Sequence, residues 1–210
     1  MKAATLVGTR YMAVQELPDP VLQPNGIVIR VRACGICGSD LHIYKRGAMS
    51  IAGTQILGHE FSGDVAKVGA NVVGIKVGDR VTALSGGAYA EYVGIPMAML
   101  GLSVFALPDD MSYEVGATIE PLTLGVNAAT RAQPKPEDFV VIIGAGMIGQ
   151  STLQAFKAMG VSRVIVSEMG KKRMEVAKAM GADVVIDAAR EDAVSRVYMN
   201  HGRRSILKRH

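Results

Sequence analysis

The 210-residue chain is 49% hydrophobic and carries 24 glycines, enough apolar material for a sizeable core and enough turn-formers to close many tight corners, which excludes a disordered or fibrous chain. Two cysteines cannot build a disulfide framework, so the chain is read as belonging to a reducing compartment, the cytoplasm. The formal net charge of +4 does not mark a nucleic-acid binder, because five of the 23 Lys and Arg follow Asp192 while all 19 Asp and Glu lie at or before it, leaving residues 1–192 with 18 basic against 19 acidic side chains.

From the N-terminus, residues 1–14 are interrupted by Arg10 and lack a cleavage-like segment, so no secretory signal is read there. The longest apolar run, residues 95–107, is too short and too rich in Gly and Pro to span a bilayer, and no membrane partner is expected. Residues 27–32 alternate Ile27, Ile29 and Val31 with Val28, Arg30 and Arg32, the period of a half-buried strand fed by the turn Pro24-Asn25-Gly26. Further strands are expected over 61–68, 79–84 and 88–93, with glycines at the corners between them.

Directly after the first of these strands stands Cys37-Gly38-Ser39-Asp40-Leu41-His42, and further on Gly58-His59-Glu60. Thiolate, imidazole and carboxylate are the donors that hold a borderline-soft ion such as Zn²⁺, and a catalytic site keeps one position open, so Cys37, His59 and Glu60 are candidate ligands. The competing reading makes Cys37 a small buried hydrophobe and His59 a satisfied loop histidine. Cys34 forms a Cys-x-x-Cys with Cys37 but lacks the setting of a redox pair and is read as packing.

Past residue 110 the pattern turns helical, with Ser112 as N-cap and a run ending in Ile119-Glu120-Pro121-Leu122. Glu120 between apolar neighbours needs a metal, a cation, water or a hydrogen-bond network, unless it faces solvent at a helix end. The run Phe139–Ile143 reads as a buried parallel strand, and Gly144-Ala145-Gly146-Met147-Ile148-Gly149 follows it at once. These glycines permit a tight turn, close approach of a pyrophosphate and packing of the next helix, whose free N–H groups hold phosphate. That helix is expected to reach about Met159; a second strand over 163–167 then ends in Glu168, 19 residues past Gly149, where an acidic residue binds ribose hydroxyls. Lys171, Lys172 and Arg173 could hold a 2′-phosphate, but Glu168 would repel one, which favours NAD over NADP. A third strand is expected over 182–186.

These residues resemble the medium-chain dehydrogenase/reductase superfamily, and within it the zinc-dependent alcohol and polyol, sorbitol-like, dehydrogenases. The resemblance rests on Cys34-Gly-Ile-Cys37-Gly-Ser39-Asp-Leu-His42, Gly58-His59-Glu60-Phe-Ser-Gly63, Val68-Gly69, Gly78-Asp79-Arg80-Val81, Glu120-Pro121-Leu122 and the nucleotide fingerprint. It implies an α/β protein in which an N-terminal GroES-like β domain with the catalytic zinc, residues 1–120, precedes an incomplete Rossmann parallel-sheet domain, residues 121–197, and a basic tail, residues 198–210. It implies that Cys37 and His59 ligate one zinc, that Glu60 binds it or exchanges with water, and that Glu120 is a further ligand or holds the zinc-bound water. Asp40 would orient the ligating histidine, and Ser39 and His42 would relay the alcohol proton. Gly144 to Gly149, Glu168 and Arg173 would hold NAD.

Two features depart from the family pattern. Many relatives carry a four-cysteine structural-zinc lobe after Gly-Asp-Arg-Val; no cysteines remain here to build one, which points to the polyol branch. A Rossmann sheet of about six strands is represented by three, and the pattern breaks after Val197 in a way that suggests a frameshift or premature stop. Zinc-dependent hydride transfer from an alcohol or polyol to NAD is therefore expected to be impaired in residues 1–210, and full-length relatives would be homo-oligomers. The alternatives are a fragment that binds zinc or nucleotide without turnover, a zinc-free NADPH reductase-like protein, and a nucleic-acid-binding tail.

Overall fold

The computed structural model describes residues 1–46 and 55–201, arranged as two compact units, Met1–Glu120 and Pro121–His210. In the first, β1 (Lys2–Gly8) and β2 (Tyr11–Glu16) form an antiparallel hairpin that sequence periodicity did not reveal. The next elements are β3 (Ile27–Cys34), α1 (Gly38–Arg46), β4 (Gln55–Ile56), β5 (Phe61–Val68), β6 (Arg80–Ala83), β7 (Tyr92–Ile95) and β8 (Val104–Ala106). Strand β4 pairs with β1, and the other five form an antiparallel sheet in the order β7-β3-β5-β6-β8.

The core lies on this sheet, where Ile27, Ile29, Phe61, Val65, Val81 and Val104 are essentially inaccessible. Each such side chain contributes about 1.5–3 kcal/mol relative to exposure. Two expectations need correction here. Val28 is as buried as its neighbours, so both faces of β3 are covered at that end and the half-buried alternation holds only beyond it. The strand expected over 88–93 is Tyr92–Ile95 instead, because the N–H groups of Ala88 and Tyr89 turn away to the carbonyls of Gly58 and Leu57.

Arg80 shows how a short motif fixes distant chain. Its guanidinium donates to the carbonyls of Pro108 (2.9 Å), Asp109 (2.7 Å) and Met111, and lies over the Tyr113 ring 4.5 Å from its centre. The Tyr113 hydroxyl donates to Asp64, which also accepts from Arg32 Nε at 2.6 Å. Segment 108–113 is thereby pinned to the sheet ahead of α2 (Tyr113–Ala117), whose N-cap is Ser112, its Oγ accepting from Val115 N at 3.2 Å.

Helix α3 (Ile119–Ala132) follows, with Pro121 in its first turn, where the missing N–H has no intrahelical partner to lose. The run that was expected to end at residues 119–122 thus begins a second helix there. In the second unit β9 (Phe139–Ile143), α4 (Met147–Ala158), β10 (Arg163–Glu168), α5 (Lys171–Ala179) and β11 (Val184–Asp187) alternate, and the strands form a parallel sheet in the order β11-β10-β9. This is the α/β pattern expected of half a doubly wound domain.

Central β10 carries Val164, Ile165 and Val166 at no more than 1% exposure. In β9 only Ile142 is buried and Ile143 is 89% exposed, so the all-apolar run is an edge strand among the described residues rather than the buried strand its composition suggests. The basic tail was expected from residue 198, yet α6 (Ala193–His201) continues through that point. Its first turn is capped by Asp192, which accepts from Val194 N at 3.1 Å and Ser195 Oγ at 2.5 Å, and Asn200 donates back to Arg196 O at 2.8 Å. Residues 202–210 lie outside the described residues.

Candidate functional site

The metal-ligand candidates meet because β3 and β5 are paired neighbours. Cys34 stands opposite Phe61, and Gly35 N donates to Glu60 O at 2.6 Å, so the exit of β3 runs beside the start of β5. That pairing carries Cys37 to His59 and Glu60, and the three donor atoms lie within 4.8 Å of one another.

Asp40 ties the arrangement together. As the third residue of α1 its Oδ2 accepts from Cys37 N at 3.1 Å, the backward half of a capping box. The same carboxylate accepts from Tyr89 Oη (2.8 Å) and Gly58 N (3.4 Å), and stands 3.6 Å from His59 Nδ1. A carboxylate beside one ring nitrogen orients the imidazole and leaves the other nitrogen for a metal. Gly58 is required twice over: its φ is +91°, and a Cβ there would stand 2.5 Å from the Tyr89 ring. Burial, followed by the Asp40 carboxylate, raises the Tyr89 hydroxyl well above the ordinary phenol range, so it remains a donor.

The donor set suits a cation. Burial pushes Glu60 up, its hydrogen bond with Cys37 and the His59 ring act the other way, and the charges of Glu120 and Asp40 add to the upward shift. Glu60 lies beside a thiol and an imidazole while the charges of Glu120 and Asp40 act on it, a negative surround that a positive ion would relieve. Cys34 is different, its thiol pushed up to about 12 by burial and then by Asp40, so it stays protonated and packs.

Glu120 stands in the first turn of α3 and its charge is felt at Glu60, though it is outside the group of three converging donors. Ser39 and His42 are both exposed on α1, three residues apart and so adjacent on the helix surface. Tyr89 was missed by sequence reasoning; the only sequence trace of it was an aromatic residue just after Gly86-Gly87.

In the second unit the glycines act in three ways. Gly144, at φ +92°, turns the chain out of β9 while its N–H donates to Ser167 O at 2.8 Å. A Cβ on Gly149 would lie 2.0 Å from Gly144 O, so only glycine lets α4 approach the strand. Gly146 has an ordinary φ of −69° and a Cβ there would meet nothing within 4 Å. Neither conformation nor protein packing requires that glycine, which fits a surface left clear for a pyrophosphate. Gly146 also caps α4 without a side-chain hydrogen bond, so the cap itself occupies none of the amides of Met147, Ile148 and Gly149, the donors that a helix start offers to an anion.

Glu168, at the end of β10, accepts from Ala145 N (2.7 Å), Gly170 N (2.7 Å) and Met169 N (2.8 Å), and pairs with Arg173 Nη2 at 3.1 Å. The N–H groups of Gly170 and Ala145 hold its carboxyl down at about 2. It is 6% exposed but lies just under the surface, and hydrogen bonding rather than burial sets its charge state. The expected repulsion of a 2′-phosphate is therefore tempered by Arg173, whose guanidinium lies against the carboxylate. Lys171 and Lys172 begin α5 exposed.

The chain matches the alcohol dehydrogenase GroES-like domain over residues 23–109 and the zinc-binding dehydrogenase model over residues 148–204. It is 34% identical to a sorbitol dehydrogenase of Bacillus subtilis (strain 168), over 94% of this chain and 64% of that protein. Among solved structures, 2R,3R-butanediol dehydrogenase from Bacillus subtilis superposes with a TM-score of 0.81 at 30% identity, over 96% of this chain and 67% of the other. Galactitol-1-phosphate dehydrogenase from Escherichia coli does so with a TM-score of 0.83 at 30% identity, over 95% and 65%. The chain thus spans under two thirds of the length of the sorbitol dehydrogenase it matches.

Proposed function

Because the chain belongs to the zinc-dependent alcohol and polyol dehydrogenases of the medium-chain dehydrogenase/reductase superfamily, we propose that its residues serve the oxidation of a small alcohol or polyol by NAD. The observation that carries this reading is the convergence of Cys37, His59 and Glu60, held by Asp40, in a chain that also carries a glycine-rich phosphate turn. Cys37 and His59 would hold one zinc, with Glu60 as a third donor or an exchanging neighbour and Glu120 as a further ligand or a partner of bound water. Zinc, when bound there, supplies Lewis acidity that makes an alcohol easier to deprotonate, and the nicotinamide supplies the hydride acceptor.

The remaining work falls to this chain's own groups. Ser39 Oγ takes the alcohol proton, and His42, one turn along the same exposed helix surface, passes it to solvent. Asp40 keeps the His59 ring in a ligating orientation. Amides at the start of α4 and the glycine-rich turn hold the pyrophosphate, and Glu168 accepts from the ribose hydroxyls. Glu168 also favours NAD over NADP, with Arg173 beside it as the group that would oppose that preference.

A cytoplasmic setting accords with two free cysteines, and among the described residues no helix is long and apolar enough to cross a membrane. A homo-oligomer acting on a small molecule, without a nucleic-acid partner, completes the reading.

The test combines metal analysis, titration with NAD and NADP, and a turnover assay on a panel of polyols and secondary alcohols. One zinc per chain and tighter NAD than NADP are expected. A chain without zinc overturns the metal reading and favours the zinc-free reductase, and tighter NADP overturns the cofactor preference. Turnover decides between the enzyme and a protein that binds both ligands without reaction.

A further inference from the structure

Gln150 belongs to none of the sequence motifs, yet it is 7% exposed in the first turn of α4. Its amide nitrogen donates to two backbone carbonyls, Ala145 O at 3.2 Å and Arg173 O at 3.1 Å. Its Oε1 is buried with no hydrogen-bond partner among the described residues. Both groups facing the nitrogen are acceptors, so the amide cannot be turned over without setting oxygen against oxygen. A buried orphan acceptor is costly, and an apolar side chain of equal length would avoid that cost. The two donated bonds are therefore what glutamine supplies here.

Those two carbonyls belong to segments that Glu168 also joins. Glu168 holds the N–H of Ala145 and the guanidinium of Arg173, while Gln150 holds the carbonyl of each. The result is a closed ring of Ala145, Glu168, Arg173 and Gln150. The start of α5 has no side-chain cap of its own, since Gly170 stands at its N-cap, and the Arg173 side chain is 59% exposed. Among the described residues, without the bond from Gln150 the side-chain link between the glycine-rich turn and the first turn of α5 would run through Glu168 alone.

We propose that Gln150 is a positioning residue of the dinucleotide site: it fixes the start of α5 against the glycine-rich turn and so sets where the Glu168–Arg173 pair stands toward the adenosine ribose and its 2′ position. This rests on the dinucleotide reading above. Discrimination at the 2′ position is then a property of the ring, and loosening Gln150 changes it without touching either charged side chain.

The experiment titrates the unsubstituted chain, Q150M and Q150E with ADP-ribose and with its 2′-phosphate analogue by calorimetry, beside thermal melts. Methionine matches the length and removes the orphan oxygen, so the Q150M melt is expected to hold or rise. Its ADP-ribose affinity should fall about 5- to 10-fold, as for two lost hydrogen bonds, and the ratio between the two ligands should move at least about threefold. Q150E sets a carboxylate against both carbonyls and should lose more. Unchanged affinities in both variants, or equal losses for the two ligands with a lowered melt, overturn the positioning role. Failure of the unsubstituted chain to bind either ligand overturns the dinucleotide reading and the proposal with it.

Discussion

In the first unit the candidate donors are side chains from separated segments, Cys37 after β3 and His59 with Glu60 before β5, brought together by a strand pairing and by Asp40. In the second, the groups that we propose would face a phosphate are backbone amides of one continuous turn, and the nearby side chains hold that backbone in shape. A site of converging side chains depends on each donor's identity and fails when one is removed. A site of backbone amides depends on conformation, tolerates most side-chain changes and fails where a Cβ intrudes.

The sharpest way to break this comparison is Cys37→Ser. We expect zinc to fall from about one per chain to background, because a hydroxyl replaces the one thiolate among the three donors. Atomic absorption on purified protein measures it, and undiminished zinc would remove Cys37 from the site.

Two alanine substitutions in one turn probe the other half. Gly149→Ala places a Cβ 2.0 Å from Gly144 O, a backbone atom, and should destabilise the second unit by about 1–3 kcal/mol or more. Gly146→Ala meets no atom within 4 Å, so its melting temperature should stay within a degree or two of the parent, or rise slightly. Nucleotide affinity should nevertheless drop about tenfold as the methyl group meets the pyrophosphate. Thermal melts paired with nucleotide titrations separate the two, and a Gly146→Ala chain with full affinity would show that the clear surface has another purpose.

The smallest effect concerns acid. Glu168 is held at about 2, below its ordinary 4.5, by the N–H groups of Gly170 and Ala145. A carboxylate depressed in the folded state adds stability that is complete above about pH 4.5 and lost as pH falls from there toward 2. Discounted for nearby solvent, the contribution is on the order of 1 kcal/mol. Glu168→Gln should flatten this part of the stability profile, read from melts across the acid range, while the profile above pH 5 keeps its shape. An unchanged acid limb would show that the hydrogen bonds around Glu168 do not depend on its charge.

Much of the architecture was legible because it is written in local spacing. The glycine turn between β9 and α4, Ser112 as an N-cap and the strand Phe61–Val68 each depend on residues within a few positions of one another. The donors Cys37, His59 and Glu60 could be proposed from residue chemistry before the strand pairing that joins them was known. What stayed hidden depends on contacts between distant positions. Composition made Phe139–Ile143 a buried strand, whereas its exposure follows from having one neighbour among the described strands, which spacing does not encode. Asp40 gains its part from Gly58, 18 residues away, and Tyr89, 49 away; Gln150 gains its part from Arg173, 23 away. A hydrogen bond reports which groups face one another in three dimensions, so the sequence, with the family resemblance that already set Asp40 beside the histidine, determined the chemistry on offer at each site, and only the packing of strands and helices decided that Gly58 and Tyr89 hold that carboxylate and that Gln150 bridges the glycine-rich turn to α5.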